Sequence, residues 1–312
     1  MNKKVKIILV IVAAVVVAGF VFVWTAFAPS TAGGDLSETV SASELKAARK
    51  AFTTGKYKDA ATNRKISYNL YVPENYDESK SYPMVVFLAD AGAAGNRVKA
   101  PLKYNAGAAV WAAASEQADR PCFVLVPNYP QMIIDDLIDD MVSDYVPATA
   151  SLIRDLEQRY SIDPDRVYGT GQAMGAQAVM YLAANDPDLF ASTLIVDAWW
   201  NVEQLEGLKD AKFIYVAAGG DERAVSGQNE VKAMLGAAGI GYGEVSGLNA
   251  KAPAAELDEA IGAMLSENHD ANFITWETGT VGETSKSNEH LSSFSYGFKS
   301  GAVREWLFGQ EK

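Results

Sequence analysis

Short apolar runs rich in Val, Ile, Leu and Phe alternate along this chain with longer stretches whose apolar positions recur at helical spacing. The short runs predict strands over residues 65–72, 84–89, 122–127, 166–170, 192–197, 213–217 and 272–276. The longer ones predict helices over 106–118, 144–160, 174–184, 225–238 and 300–308. β-Branched runs without polar alternation are strands covered on both faces. Alternation with helices then implies an α/β fold, a doubly wound and mostly parallel sheet. No internal repeat is evident. The Ala-, Glu- and Asp-rich stretch 246–268 is expected to form a small helical insertion near the site.

The first residues fall outside this pattern. Lys3, Lys4 and Lys6 precede an uncharged apolar run over 7–28, 22 residues that suffice to span a bilayer. The lysines orient this end towards the cytoplasm, so the remainder is expected to be extracytoplasmic. Residues 1–28 are accordingly expected to be a membrane-spanning signal anchor, which makes the membrane a partner. Ala26-Phe27-Ala28 resembles a cleavage site, which leaves secretion after signal removal as the alternative. Residues 29–44, rich in Ser, Thr, Gly and Ala, are expected to form a flexible stalk. Residues 45–312 are the folded domain.

Composition narrows the class. With 312 residues and 49% hydrophobic content, the chain supports one large core. A net charge of −12 argues against nucleic acid as a partner. The single cysteine, Cys122, excludes an intramolecular disulfide. It lies within an apolar run, where a thiol is an inert core residue. An exported chain without disulfides suits a large domain of bacterial type. The oligomeric state is left open.

The chemistry centres on Gly171-Gln172-Ala173-Met174-Gly175, between the strand at 166–170 and the helix at 174–184. Strand, Gly-x-Ser-x-Gly, helix is the nucleophile elbow of the α/β-hydrolases. Here Ala173 holds the nucleophile position, and a methyl group cannot attack a carbonyl. The partners of such a nucleophile follow as acid, then histidine. Asp221, in the loop after the strand at 213–217, is the expected acid, with Glu222 as fallback. His290, after the last strand, is the expected base, and His269 is expected to be an ordinary surface residue. Backbone N–H groups of Met174 and of Ala91, or alternatively Asp90, are expected to hold the oxyanion. Gln172, Trp199, Trp200 and Tyr129 are weaker candidates for substrate contacts, and the tryptophans serve equally well as core or lid packing. The pairs Asp135-Asp136 and Asp139-Asp140 are expected to be a solvated helix N-terminus, not a metal site.

Three segments carry a resemblance: Tyr68-Asn69-Leu70-Tyr71-Val72-Pro73-Glu74-Asn75-Tyr76, Tyr82-Pro83-Met84-Val85-Val86-Phe87-Leu88, and Asp163-Pro164-Asp165-Arg166-Val167-Tyr168 with the elbow. From about Thr54 to Phe308 the chain resembles the secreted esterases related to feruloyl esterases and polyhydroxybutyrate depolymerases, down to His290, Tyr296, Trp306 and Leu307 in the closing segment. The resemblance implies an α/β-hydrolase fold. It also implies hydrolysis of small-molecule carboxylic esters through a serine acyl-enzyme, without metal or organic cofactor. The chain departs from it twice. Ala173 stands where the family has serine, and Ala89-Asp90 stand where it has His-Gly after the third strand. Asp90 is expected to point away from the oxyanion or to bind a substrate hydroxyl or amine. Three functions follow: an esterase whose nucleophile was replaced, by laboratory substitution or by evolution; a pseudoenzyme that binds a ligand at the cell surface; or a scaffold whose serine-bearing parent cleaved amides or peptides.

Overall fold

The computed structural model describes residues 38–104, 106–137, 139–282 and 288–312. The apolar run at 7–28 and the stalk up to residue 37 lie outside the described residues. Among the described residues no helix is long and apolar enough to cross a membrane. The helix Ala42–Ala51 begins inside the stretch expected as stalk, because Ser41 and Glu44 close a reciprocal capping box. Val40 just before it is buried, so the folded domain already includes these residues.

The strands are β1 (Thr53–Lys58), β2 (Lys65–Tyr71), β3 (Tyr82–Leu88), β4 (Phe123–Asn128), β5 (Ile134–Asp135), β6 (Met141–Val142), β7 (Ile162–Gln172), β8 (Ser192–Val196), β9 (Phe213–Ala218), β10 (Gly243–Leu248) and β11 (Ala271–Trp276). Nine of them form one sheet in the order β1-β2-β4-β3-β7-β8-β9-β11-β10, and β5 and β6 form a separate hairpin. Within the nine-stranded sheet, among the described residues, β1 with β2 and β2 with β4 pair antiparallel, and the seven strands in the order β4-β3-β7-β8-β9-β11-β10 are parallel. Side chains alternate between two cores. Met84, Val86 and Leu88 of β3 and Phe213 and Tyr215 of β9 face one, and Val85 and Phe87 with Ile214 and Val216 face the other. This double burial is why the strands read as unbroken apolar runs.

Two expected elements differ. Residues 106–118 do not form one helix. They form a 3-10 turn at Val110–Ala112 and a helix at Ala114–Asp119, separated by extended Ala113. Residues 108–113 are buried throughout, and a Cβ on Gly107 would overlap the rings of Phe298 and Phe87. A segment threaded through the core on all sides has no polar face for a regular surface helix to present. Residues 246–268 hold the end of edge strand β10 and the helix Ala254–Leu265, whose Leu257, Ile261 and Met264 pack into a core. They are a strand-and-helix unit of the sheet.

The parallel strands end at one edge of the sheet. The chain leaves β3 towards β4 on one side and continues from β7 through β8 to β9 on the other. That reversal is a topological switch point, where α/β proteins open a crevice.

Candidate active site

The turn after β7 is built by its glycines. A Cβ on Gly171 would meet the backbone of Gly175 and Ala176, and one on Gly175 would overlap the carbonyl oxygen of Leu88. The helix Met174–Asn185 can therefore press against β3 and β7 only with glycine at both positions. Gly175→Ala is expected to cost about 3 kcal/mol of stability, read as a lower urea midpoint, because the obstructing atom is backbone and cannot rotate away.

Between these glycines, Ala173 has φ 46° and ψ −120°. This conformation is strained for a residue with a Cβ. Its N–H donates to Val196 O at 3.1 Å, and its carbonyl accepts the helix's first bond, from Gln177 N at 2.9 Å. The side chain is thus raised into a cleft of about 380 Å³. Ala91, Met174, Asp197, Trp199, Asp221 and His290 line the same cleft.

His290 and Asp221 meet there. His290 Nδ1 lies 2.6 Å from Asp221 Oδ2. The other oxygen, Oδ1, accepts from the N–H groups of Arg223 and Ala224 at 3.2 and 3.3 Å, so Asp221 also caps the helix Glu222–Ala237. Burial acts to raise the Asp221 carboxyl, but the His290 hydrogen bond and charge and the two N–H donors outweigh it and hold it below the usual range. Burial likewise acts to lower His290, yet the Asp221 hydrogen bond and the charges of Asp197, Asp221 and Asp90 leave it raised. The imidazole also packs edge-on against Phe294, with ring centroids 5.1 Å apart.

The oxyanion candidates line the same cleft. Ala91 opens the 3-10 turn Ala91–Ala93, and Met174 opens the helix after the elbow. First-turn N–H groups have no acceptor within their own helix. Asp90 caps the 3-10 turn and is not among the residues that line the cleft. Its Oδ1 accepts from Gly92 N at 2.7 Å and its Oδ2 from Gln172 Nε2 at 3.0 Å. Gln172 is therefore buried against the loop after β3 rather than lining the cleft.

The other candidates separate in the same way. Trp199 lines the cleft, its Nε1 donating to the Glu230 carboxylate and its ring lying under the Arg223 guanidinium, 4.7 Å from the centroid. Trp200 is buried core, bonded to Gln204. Tyr129 is core as well, its hydroxyl 2.7 Å from Thr149. Glu222 is exposed at its helix start and outside the cleft lining. His269 stands away from the cleft beside Glu267. Cys122 is buried, and desolvation pushes its thiol up to about 12. The acidic pairs lie on the β5–β6 hairpin, not at a helix N-terminus. Asp136 forms an ion pair with Arg223, and Asp140 accepts from Asn201 at 2.7 Å. The hairpin brings Met132 and the largely exposed Leu137 to the cleft mouth as an apolar lip.

Two residues were missed from the sequence. Asp197, directly after β8, is fully buried yet lines the cleft; its place at a strand's C-terminal end was the available signal. Glu289 staples two loops, accepting from Gly220 N at 2.8 Å and Gly279 N at 2.6 Å. It adjoins His290, and Gly220 adjoins Asp221, so one carboxylate sets the spacing of the pair. No local pattern announces such a bond. With serine at 173, Glu289→Ala is expected to lower kcat about tenfold to a hundredfold with KM little changed. Glu289→Gln, which keeps one acceptor, restores part of that loss.

No protein-family model and no curated protein matches the sequence. Solved structures do. A thermostable esterase matches with TM-score 0.67 and 25% identity, covering 85% of this chain and 64% of that one. The chain thus spans less than two thirds of that esterase. A putative dipeptidyl aminopeptidase IV from Bacteroides ovatus matches with TM-score 0.52 and 11% identity, over 83% of this chain and 36% of that one. A mutant of the feruloyl esterase module from Clostridium thermocellum, complexed with sinapinate, lies further away, with TM-score 0.47, 15% identity, and coverages of 86% and 91%. Strand order and the turn after β7 define an α/β-hydrolase-like fold. The thermostable esterase that matches at 25% identity shares this scaffold.

Proposed function

We propose that the chain is a carboxylic-ester hydrolase scaffold of the acyl-enzyme type, held outside the cytoplasm by its N-terminal apolar segment, whose nucleophile position is occupied by alanine. The observation that carries this reading is the 2.6 Å His290–Asp221 pair in one cleft with the strained elbow residue Ala173. In this reading His290 takes the proton of a nucleophilic hydroxyl. Asp221 fixes its tautomer and stabilises the imidazolium. The N–H groups of Met174 and Ala91 receive the oxyanion. Without a hydroxyl at 173 no acyl-enzyme forms, so the chain as written is inactive or nearly so. The test is hydrolysis of p-nitrophenyl acetate and butyrate by the chain as written and by Ala173→Ser. Turnover by the serine form alone supports the reading, and none by either counts against it.

A second reading is a cell-surface module that uses the cleft to bind a ligand. It is favoured by Asp90, whose hydrogen bonds to Gln172 and Gly92 keep the oxyanion-side loop ordered without any nucleophile. Alanine at this position in the natural gene supports that module, and serine there removes it.

A further inference from the structure

Asp197 has a carboxylate that the esterase reading leaves unused. It is 0% exposed, and its Oδ1 accepts from Ala218 N at 2.8 Å. Its Oδ2 is buried without a hydrogen-bond partner. An unpaired buried carboxylate oxygen is costly, since burial removes water and nothing replaces it. The φ of 46° at Asp197 turns the chain out of β8 at this point, where aspartate is tolerated better than most residues. The carboxylate is thereby held at the cleft, beside the acid–histidine pair. One donor atom each from Asp197, Asp221 and His290 lie within 4.8 Å of one another.

We propose that Asp197, Asp221 and His290 form a binding site for a divalent transition-metal cation of the zinc type in the cleft. Two carboxylates and one imidazole are a donor set such ions accept, and three protein ligands leave a coordination position open to the cleft. Metal–ligand distances near 2.1 Å put tetrahedral donors roughly 3.4 Å apart. The ion takes the place of the proton between His290 and Asp221 and gives the orphaned Asp197 oxygen a partner. The proton leaves to solvent. The inference does not depend on ester hydrolysis.

The test titrates the full chain as written with Zn2+ by calorimetry and with Co2+ by visible absorption. Expected are one ion per chain and a cobalt d–d band of low-symmetry N/O coordination. Asp197→Asn and His290→Gln are each expected to weaken binding at least about tenfold. His269→Ala, a histidine outside the cleft, is expected to leave binding unchanged. Failure of the parent chain to bind either ion overturns the proposal without any variant being needed. So does binding that survives Asp197→Asn and His290→Gln in variants with native circular dichroism, or that is lost with His269→Ala.

Discussion

Ala173→Ser is expected to raise p-nitrophenyl acetate hydrolysis by the full chain about a thousandfold to a millionfold. The size follows from what is already assembled. Strain at position 173, the two close-packed glycines and the acid–histidine pair are present with alanine there. Serine adds one oxygen at a site whose backbone already adopts the elbow conformation, so no other element has to rearrange. Where the rest of such a site is intact, a nucleophile contributes several orders of magnitude, and its absence leaves only what binding and oxyanion contacts supply. The cleft of about 380 Å³ accommodates a small aryl ester. Stoichiometric release of p-nitrophenol before steady state, from the serine form alone, would register the acyl-enzyme directly. A serine form that folds but stays at the rate of the parent would count against the acyl-enzyme reading.

The sheet was legible in the sequence because burial on both faces leaves a strand no polar alternation. Phe213 to Ala217 and Met84 to Leu88 announce themselves as apolar runs. The edges were not legible. β1, Thr-Thr-Gly-Lys-Tyr-Lys, and β10, with Glu244, Ser246 and Gly247, are half-exposed and carry no apolar run. The stretch 106–118 failed for the opposite reason. Its alanines suit a helix by propensity, but packing of Gly107 against Phe87 and Phe298 overrode it. The candidate residues were legible where chemistry repeats along the chain: elbow, then Asp221, then His290. Contacts between distant segments were not. Glu289 on Gly220 and Gly279, Gln172 on Asp90, and the orphaned oxygen of Asp197 each depend on loops that meet only after the sheet has formed.

In the Ala173→Ser background, Asp221→Asn is expected to lower kcat about ten-thousandfold while KM changes little. Asparagine keeps the shape and the cap on the helix Glu222–Ala237, since its carbonyl oxygen can still accept from Arg223 and Ala224. What it removes is an acceptor-only group 2.6 Å from His290 Nδ1. The asparagine amide can donate there, which favours the tautomer with its proton on Nε2, the wrong nitrogen for a general base. The charge is lost as well, and with it stabilisation of the imidazolium that forms as the hydroxyl is deprotonated. The pH profile separates this from a loss of fold. Activity needs neutral His290, so kcat/KM of the serine form rises with pH through the His290 pKa, which is raised above its ordinary 6.5. Removing the Asp221 hydrogen bond and charge takes away two of the causes that raise it. Burial, which lowers it, stays in force. The residual activity of the double variant is therefore expected to rise at a lower pH than that of Ala173→Ser alone, as measured by initial rates between about pH 5 and 9. An unchanged or upward-shifted profile would mean that the Asp221 carboxylate does not act on this histidine.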